Sequence, residues 1–190
     1  MEQRSTVIQL LKGKYGLRFL VIGLTSLLLL ILFVNPIART MKIFAIIAIF
    51  AAANVAVKRV MRAFSGLPLE MELATLGSVM VTVLFGVKAG LLTAILCTFL
   101  AHHLSKGITL YTPMMASGYV LAALMALMVS PASIAAGGIF ICVLVNIYFI
   151  VIFQLVGYSA MENFLYSLSN VALNALLFLK VAPLIVAILS

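Results

Sequence analysis

SIAAGGIFICVLVNIYFIVIFQLVG, residues 133–157, runs without one acidic, basic or histidine side chain. About 20 apolar residues in an α-helix cross the roughly 30 Å hydrocarbon core of a bilayer, so the stretch is long enough to span it. In lipid every backbone N–H and C=O needs a partner, and a helix supplies its own. Strands of a membrane barrel show short alternating segments, and no such alternation is present here. The stretch is predicted to be a transmembrane helix.

The same pattern extends outward in both directions. Pro131 precedes the run and suits a first helical turn, where its missing N–H is not needed. Upstream, a span over 114–129 follows the polar connection SKGITLYTP, 105–113. Spans over 72–86 and 90–104 are joined by FGVKAG, 85–90, as a tight αα-hairpin. IFAIIAIFAAANVAV, 43–57, precedes FSGLPLE, 64–70, where Gly66 and Pro68 break the helix. Downstream, the GYSAMEN connection leads to a span over 164–189 with Pro183 near its end.

At the N-terminus, FLVIGLTSLLLLILFVNPIA, 19–38, follows a basic lead carrying Arg4, Lys12, Lys14 and Arg18. Such a lead also describes a signal peptide. Pro36 at the −3 position of a cut after Ala38 argues for a retained span. The expected fold is an all-α integral membrane protein, a seven-helix bundle. It divides into 1–40, the basic lead with an N-terminal helix, and 41–190, a six-helix membrane core.

Composition excludes the soluble classes. Hydrophobic residues make up 66% and charged residues 8% of the chain, whereas a soluble domain carries about a quarter charged residues. The net charge of +8 sits in the lead and at helix ends, where it sets topology, and forms no stripe for nucleic acid. With the N-terminus inside, Arg4, Lys12, Lys14, Arg18, Lys58, Arg59, Arg62 and Lys106 are cytoplasmic, against Arg39, Lys42, Lys88 and Lys180 outside. Cys97 and Cys142 lie in apolar runs without ligand spacing and read as packing residues.

Three groupings carry functional content. Ala48, Ala52 and Ala56, with Ala45 nearby, put small side chains on one helix face, where helices approach closely. They serve packing within the bundle or docking of a partner's helices. A polar belt gathers at one side of the membrane, drawn from alternate connections. It comprises Asn54, Lys58, Arg59, Arg62, Glu70, Glu72 and Thr75; then His102, His103, Lys106, Tyr111 and Tyr119; then Gln154, Tyr158, Glu162, Asn163, Tyr166 and Asn170. Asn146, Asn170 and Asn174 lie deep in spans, where an amide needs a partner in another helix or in a ligand. His102 and His103 are adjacent and point in different directions on a helix, a poor spacing for one metal. No Walker A, GxSxG or HExxH pattern is present.

From Met41 onward the order of these features resembles the substrate-binding S components of energy-coupling factor (ECF) vitamin transporters. The matching features are the alanine face Ala48, Ala52, Ala56; the Gly/Pro loop Ser65–Glu70; the turn Leu84–Phe85–Gly86–Val87–Lys88–Ala89–Gly90; and a last helix holding Asn170 and Pro183. The resemblance implies a six-helix core that binds a vitamin-like small molecule and hydrolyses nothing. It implies Phe64–Met71 as a lid, and a pocket drawn from Asn54, Glu70, His102, His103, Tyr111, Tyr119, Asn163 and Asn170. The alanine face would dock on a transmembrane coupling subunit driven by two ATPase subunits. The span over 19–38 is additional to the family's six. The family places the lid outside, whereas the charge count puts Lys58, Arg59 and Arg62 inside. Lys58, Arg59 and Arg62 would reconcile the two by attracting an anionic solute.

The expected function is therefore uptake of a small solute across the cell membrane by a multi-pass, non-enzymatic subunit, with no metal or cofactor. A scaffold protein docking through its alanine face is one alternative. An intramembrane enzyme on a lipid or prenyl substrate, using Glu70, Glu72 or the histidines, is another.

Overall fold

The computed structural model describes residues 39–62, 71–105 and 107–189. The expected N-terminal span over 19–38 and the expected lid up to residue 70 lie outside them. The chain divides into two compact units, 1–45 and 46–190. Of the first, residues 39–45 are described, and they are helical. The rest of the description concerns the second.

Seven α-helices follow one another among the described residues: α1 (Arg39–Arg62), α2 (Ala74–Phe85), α3 (Val87–Ser105), α4 (Tyr111–Met125), α5 (Ile134–Leu155), α6 (Ala160–Lys180) and α7 (Ala182–Leu189). Two short 3-10 turns, Ala126–Met128 and Pro131–Ser133, join α4 to α5. Four helices are long and apolar enough to cross a membrane, or five when α6 and α7 count as one bent span. The protein is an all-α membrane bundle, but the run expected to span over 72–86 forms only the shorter apolar helix α2.

Its centre is α2. Every residue from Ala74 to Thr82 is buried, and the helix packs against α3, α4, α5, α6 and α7. At 12 residues it is about 18 Å long, too short to cross a bilayer alone. Its buried hydroxyls bond backward to the preceding turn: Ser78 donates to the Ala74 carbonyl at 2.6 Å and Thr82 to Ser78 at 2.8 Å. That pattern lets a hydroxyl sit in an apolar interior at little cost. The first backbone donors of a helix lack partners within it. The backbone leading into α2 finds them in other helices: the Leu73 N–H donates to Asn54 Oδ1 of α1 at 2.8 Å, and the Glu72 N–H to Asn170 Oδ1 of α6 at 3.2 Å.

A single residue separates α2 from α3. Gly86 ends α2 at φ +94°, a left-handed conformation that glycine adopts without a steric penalty. Its N–H donates to the Thr82 carbonyl at 2.8 Å. Four residues on, Gly90 passes directly over the Thr82 hydroxyl and within 3.0 Å of the Ser78 carbonyl, measured from where a Cβ would lie. The hairpin expected from FGVKAG is thus as tight as glycine allows.

The last expected span is not one rod. The chain bends by 40° between α6 and α7. Pro183 lies in the first turn of α7, where it has no N–H to donate and its ring opposes the carbonyl four residues back.

Candidate functional site

Three helices converge with α1 around a cavity of about 220 Å³. Spacing builds its walls. Tyr111, Met115 and Tyr119 succeed one another by four along α4, and Phe149 and Phe153 do so on α5, so each set lies on one helix face. Asn163, Ser167 and Asn170 line the cavity from α6. Lys58 enters from α1, Asn146 from α5, and His102, Gly107, Thr109 and Tyr158 from the end of α3 and the connections.

One wall is aromatic and tightly braced. Tyr111 meets Tyr158 edge-on at 4.9 Å between ring centroids, and Tyr119 meets Phe149 edge-on at 5.3 Å. Phe149 and Phe153 stack at 5.7 Å. Edge-to-face and offset contacts align ring quadrupoles favourably, at about 0.5–1.5 kcal/mol per pair beyond burial. These rings hold one another in place before any ligand arrives.

Another part of the lining is made of amides. Asn170 Nδ2 donates to Asn146 Oδ1 at 3.3 Å, and Asn146 Nδ2 donates to the Cys142 carbonyl at 2.8 Å. Asn174 Nδ2 donates to Asn170 Oδ1 at 2.9 Å and to the Glu72 carbonyl at 3.0 Å. The chain of amides ties α5, α6 and the residues before α2 together, and Asn146 and Asn170 present one side of it to the cavity.

Two buried polar atoms on the lining have no hydrogen-bond partner among the described residues: the Tyr119 hydroxyl and Asn163 Nδ2. Both side chains belong to almost fully buried residues, 1% and 3% exposed. Leaving such a group unpaired costs about 1–3 kcal/mol, and an orphaned polar atom at a cavity wall calls for an explanation.

Charge at the site is compensated. Lys58 forms an ion pair with Glu72, with the side chains 8% and 2% exposed. Glu72 sits behind the lining, just ahead of α2. His102 Nδ1 and the Thr112 hydroxyl share a hydrogen bond at 3.0 Å, and the same hydroxyl accepts from the Thr109 N–H at 3.1 Å. The α3–α4 connection is thereby fastened at the cavity's edge. In the α5–α6 connection, outside the spans, burial pushes the Tyr158 phenol up to about 12, helped by its hydrogen bond to Tyr111. The phenol stays neutral at ordinary pH.

Five residues expected at a pocket come together here: His102, Tyr111, Tyr119, Asn163 and Asn170. Asn54 does not line the cavity. It is 1% exposed and bridges helices, donating to the Cys97 carbonyl at 3.1 Å while accepting from Leu73. Arg59 and His103 are exposed and lie off the lining, because each is one position round the helix from the inward residue, Lys58 or His102. Glu70 and the Arg62 side chain lie outside the described residues. Ala48, Ala52 and Ala56 are all exposed, while Ile47, Phe50, Ala51, Asn54, Val55 and Lys58 of the same helix are buried.

Sequence reasoning missed Met115, Phe149, Phe153, Ser167, Gly107 and Thr109 as lining residues. The spacing by four of Tyr111–Met115–Tyr119 and Phe149–Phe153 was the available signal.

In comparisons with known proteins, no family model matches the chain, and no match is found among curated proteins or solved structures.

Proposed function

We propose that this protein captures a small solute in the membrane and acts as the substrate-specific subunit of an ECF-type uptake system. The carrying observation is a cavity lined by membrane helices and their connections, on whose wall two buried polar atoms, the Tyr119 hydroxyl and Asn163 Nδ2, lack partners among the described residues. A bundle that only filled space would gain by burying apolar groups at those positions. The braced aromatic wall adds preorganisation, which lowers the ordering cost of binding.

In this reading the protein is a multi-pass protein of the cell membrane. The solute reaches the cavity past the half-buried Tyr111, Phe153 and Tyr158 and settles against the buried Tyr119, Asn163 and Asn170. The exposed alanine face of α1 then serves a partner: small side chains let another helix approach closely, and dispersion holds it there. The coupling subunit and its two ATPases are the partners this reading requires.

The same alanine face also favours a scaffold function, in which partner binding is indifferent to solute. For an enzyme, Glu72 is poorly placed, since it is committed to Lys58 and does not line the cavity.

The test is a comparison of two purified proteins. Wild type in mild detergent is expected to carry a small organic molecule, released on denaturation and detected by mass spectrometry. Met115→Trp fills the cavity from a half-buried wall position and is expected to lose that molecule while unfolding at the same temperature. Should no compound be enriched in wild type over Met115→Trp, solute capture is wrong.

A further inference from the structure

We infer that the solute is an uncharged, planar, single-ring molecule with a carboxamide-like edge; the inference rests on the solute-binding reading above. Four observations converge on it.

Size comes first. At about 220 Å³, the cavity holds about seven waters at roughly 30 Å³ each. Sites for drug-sized ligands run from roughly 300 to 1,000 Å³. One ring with a short polar substituent suits a cavity of that size.

Shape follows from the walls. Phe149 and Phe153 stack with planes 19° apart, and Tyr111 and Tyr119 brace them edge-on. A flat π-face gains contact and quadrupole alignment against such a surface; a puckered ring gains less.

Charge is decided by the ion pair. Lys58 is the one permanently charged side chain among the described lining residues, and Glu72 already neutralises it. An anion would have to compete with a buried carboxylate for the same ammonium. A cation would sit beside Lys58 with no carboxylate on the described lining. Either charge would be desolvated without compensation. Of the three basic residues behind the expected anionic solute, Arg59 is exposed and off the lining, Lys58 lines the cavity but is paired with Glu72, and the Arg62 side chain lies outside the described residues.

The polar edge follows from the orphaned atoms. Asn163 Nδ2 needs an acceptor, and the Tyr119 hydroxyl can donate or accept. Exchanging the oxygen and nitrogen of the Asn163 amide would turn its orphan into an acceptor. A carboxamide carries a carbonyl and an N–H side by side, so it satisfies Asn163 in either orientation.

Four probes of matched size test each element. Benzamide, benzoate and benzamidinium share one ring and differ in charge and in the donors and acceptors of the polar group; cyclohexanecarboxamide keeps the amide and loses the flat ring. Binding to the full-length protein in lipid nanodiscs is measured by titration calorimetry. Benzamide is expected to bind at least about 10-fold more tightly than either ion, and about 3-fold or more beyond cyclohexanecarboxamide. Tyr119→Phe is expected to weaken benzamide about 5-fold by removing one hydrogen bond, with an unchanged unfolding temperature.

Tightest binding by benzoate would overturn the charge argument, and tightest binding by benzamidinium would replace it with a cation held by aromatic faces. In both cases solute capture stands and only the solute class falls. Parity of cyclohexanecarboxamide with benzamide, or of Tyr119→Phe with wild type, overturns the planar or the polar part. Failure of all four probes to bind at millimolar concentration, together with an empty purified protein, removes the capture reading itself.

Discussion

Lys58 meets Glu72 with both side chains largely buried, 8% and 2% exposed. Removing one partner of a buried pair strands the other, at about 3–5 kcal/mol. Lys58→Met is therefore expected to lower unfolding stability by about that amount in mixed micelles, and Lys58→Met with Glu72→Leu to recover most of it. Equal loss in the single and double variants would mean the pair is not coupled. Tyr158 makes a different prediction. Its phenol is raised to about 12, so the folded state favours the protonated form. The stabilisation it contributes is complete below the ordinary phenol value near 10 and disappears as pH rises through about 12. An absorbance titration of tyrosinate should contain one late component that Tyr158→Phe removes. At this scale the sequence was readable where chemistry is costly. Asn146, Asn170 and Asn174 stood out because an amide in lipid needs a reason to be there, and Asn163 through its place in the polar belt. Phe149 and Phe153 did not, because a ring facing lipid and a ring facing a cavity look alike in a helix that is apolar on every side. Asn54 stood out too, yet its amide serves two backbone groups, Cys97 C=O and Leu73 N–H, a use that only tertiary structure discloses.

Among the elements, α2 and α3 are held closest. The absence of a side chain at Gly90 lets α3 pass over Thr82 and the Ser78 carbonyl. Gly90→Ala is expected to cost about 1–3 kcal/mol by overpacking, read as a lower unfolding midpoint. Thr82→Ala should relieve part of that loss, since its hydroxyl is the nearest obstacle, while the Ser78 backbone is not removable. A wild-type midpoint for Gly90→Ala would show that the two helices are free to separate. The hairpin was legible in Gly86 and Gly90, whose permissive backbone announces a turn and a close approach. The long helices were legible as well, since apolar runs of that length suit a bilayer, whereas α2 read as a span and is too short for one. What length alone left out is the 40° bend before α7, which follows from where Pro183 falls relative to the carbonyls of the preceding turn.

For the molecule as a whole, the two faces of α1 set its external relations. Ile47, Phe50, Asn54 and Lys58 turn toward the bundle, while Ala48, Ala52 and Ala56 turn away. Under the proposed function, Ala52→Trp is expected to leave both the unfolding midpoint and solute binding unchanged while abolishing copurification of the coupling subunit. Loss of solute binding in that variant would instead place the alanine face within the bundle's own packing. The shortness of α2 has a consequence for biogenesis. The segment is apolar but about 18 Å long, little more than half of the roughly 30 Å hydrocarbon core. Its entry into the bilayer is therefore expected to be coupled to that of α3, from which one residue separates it.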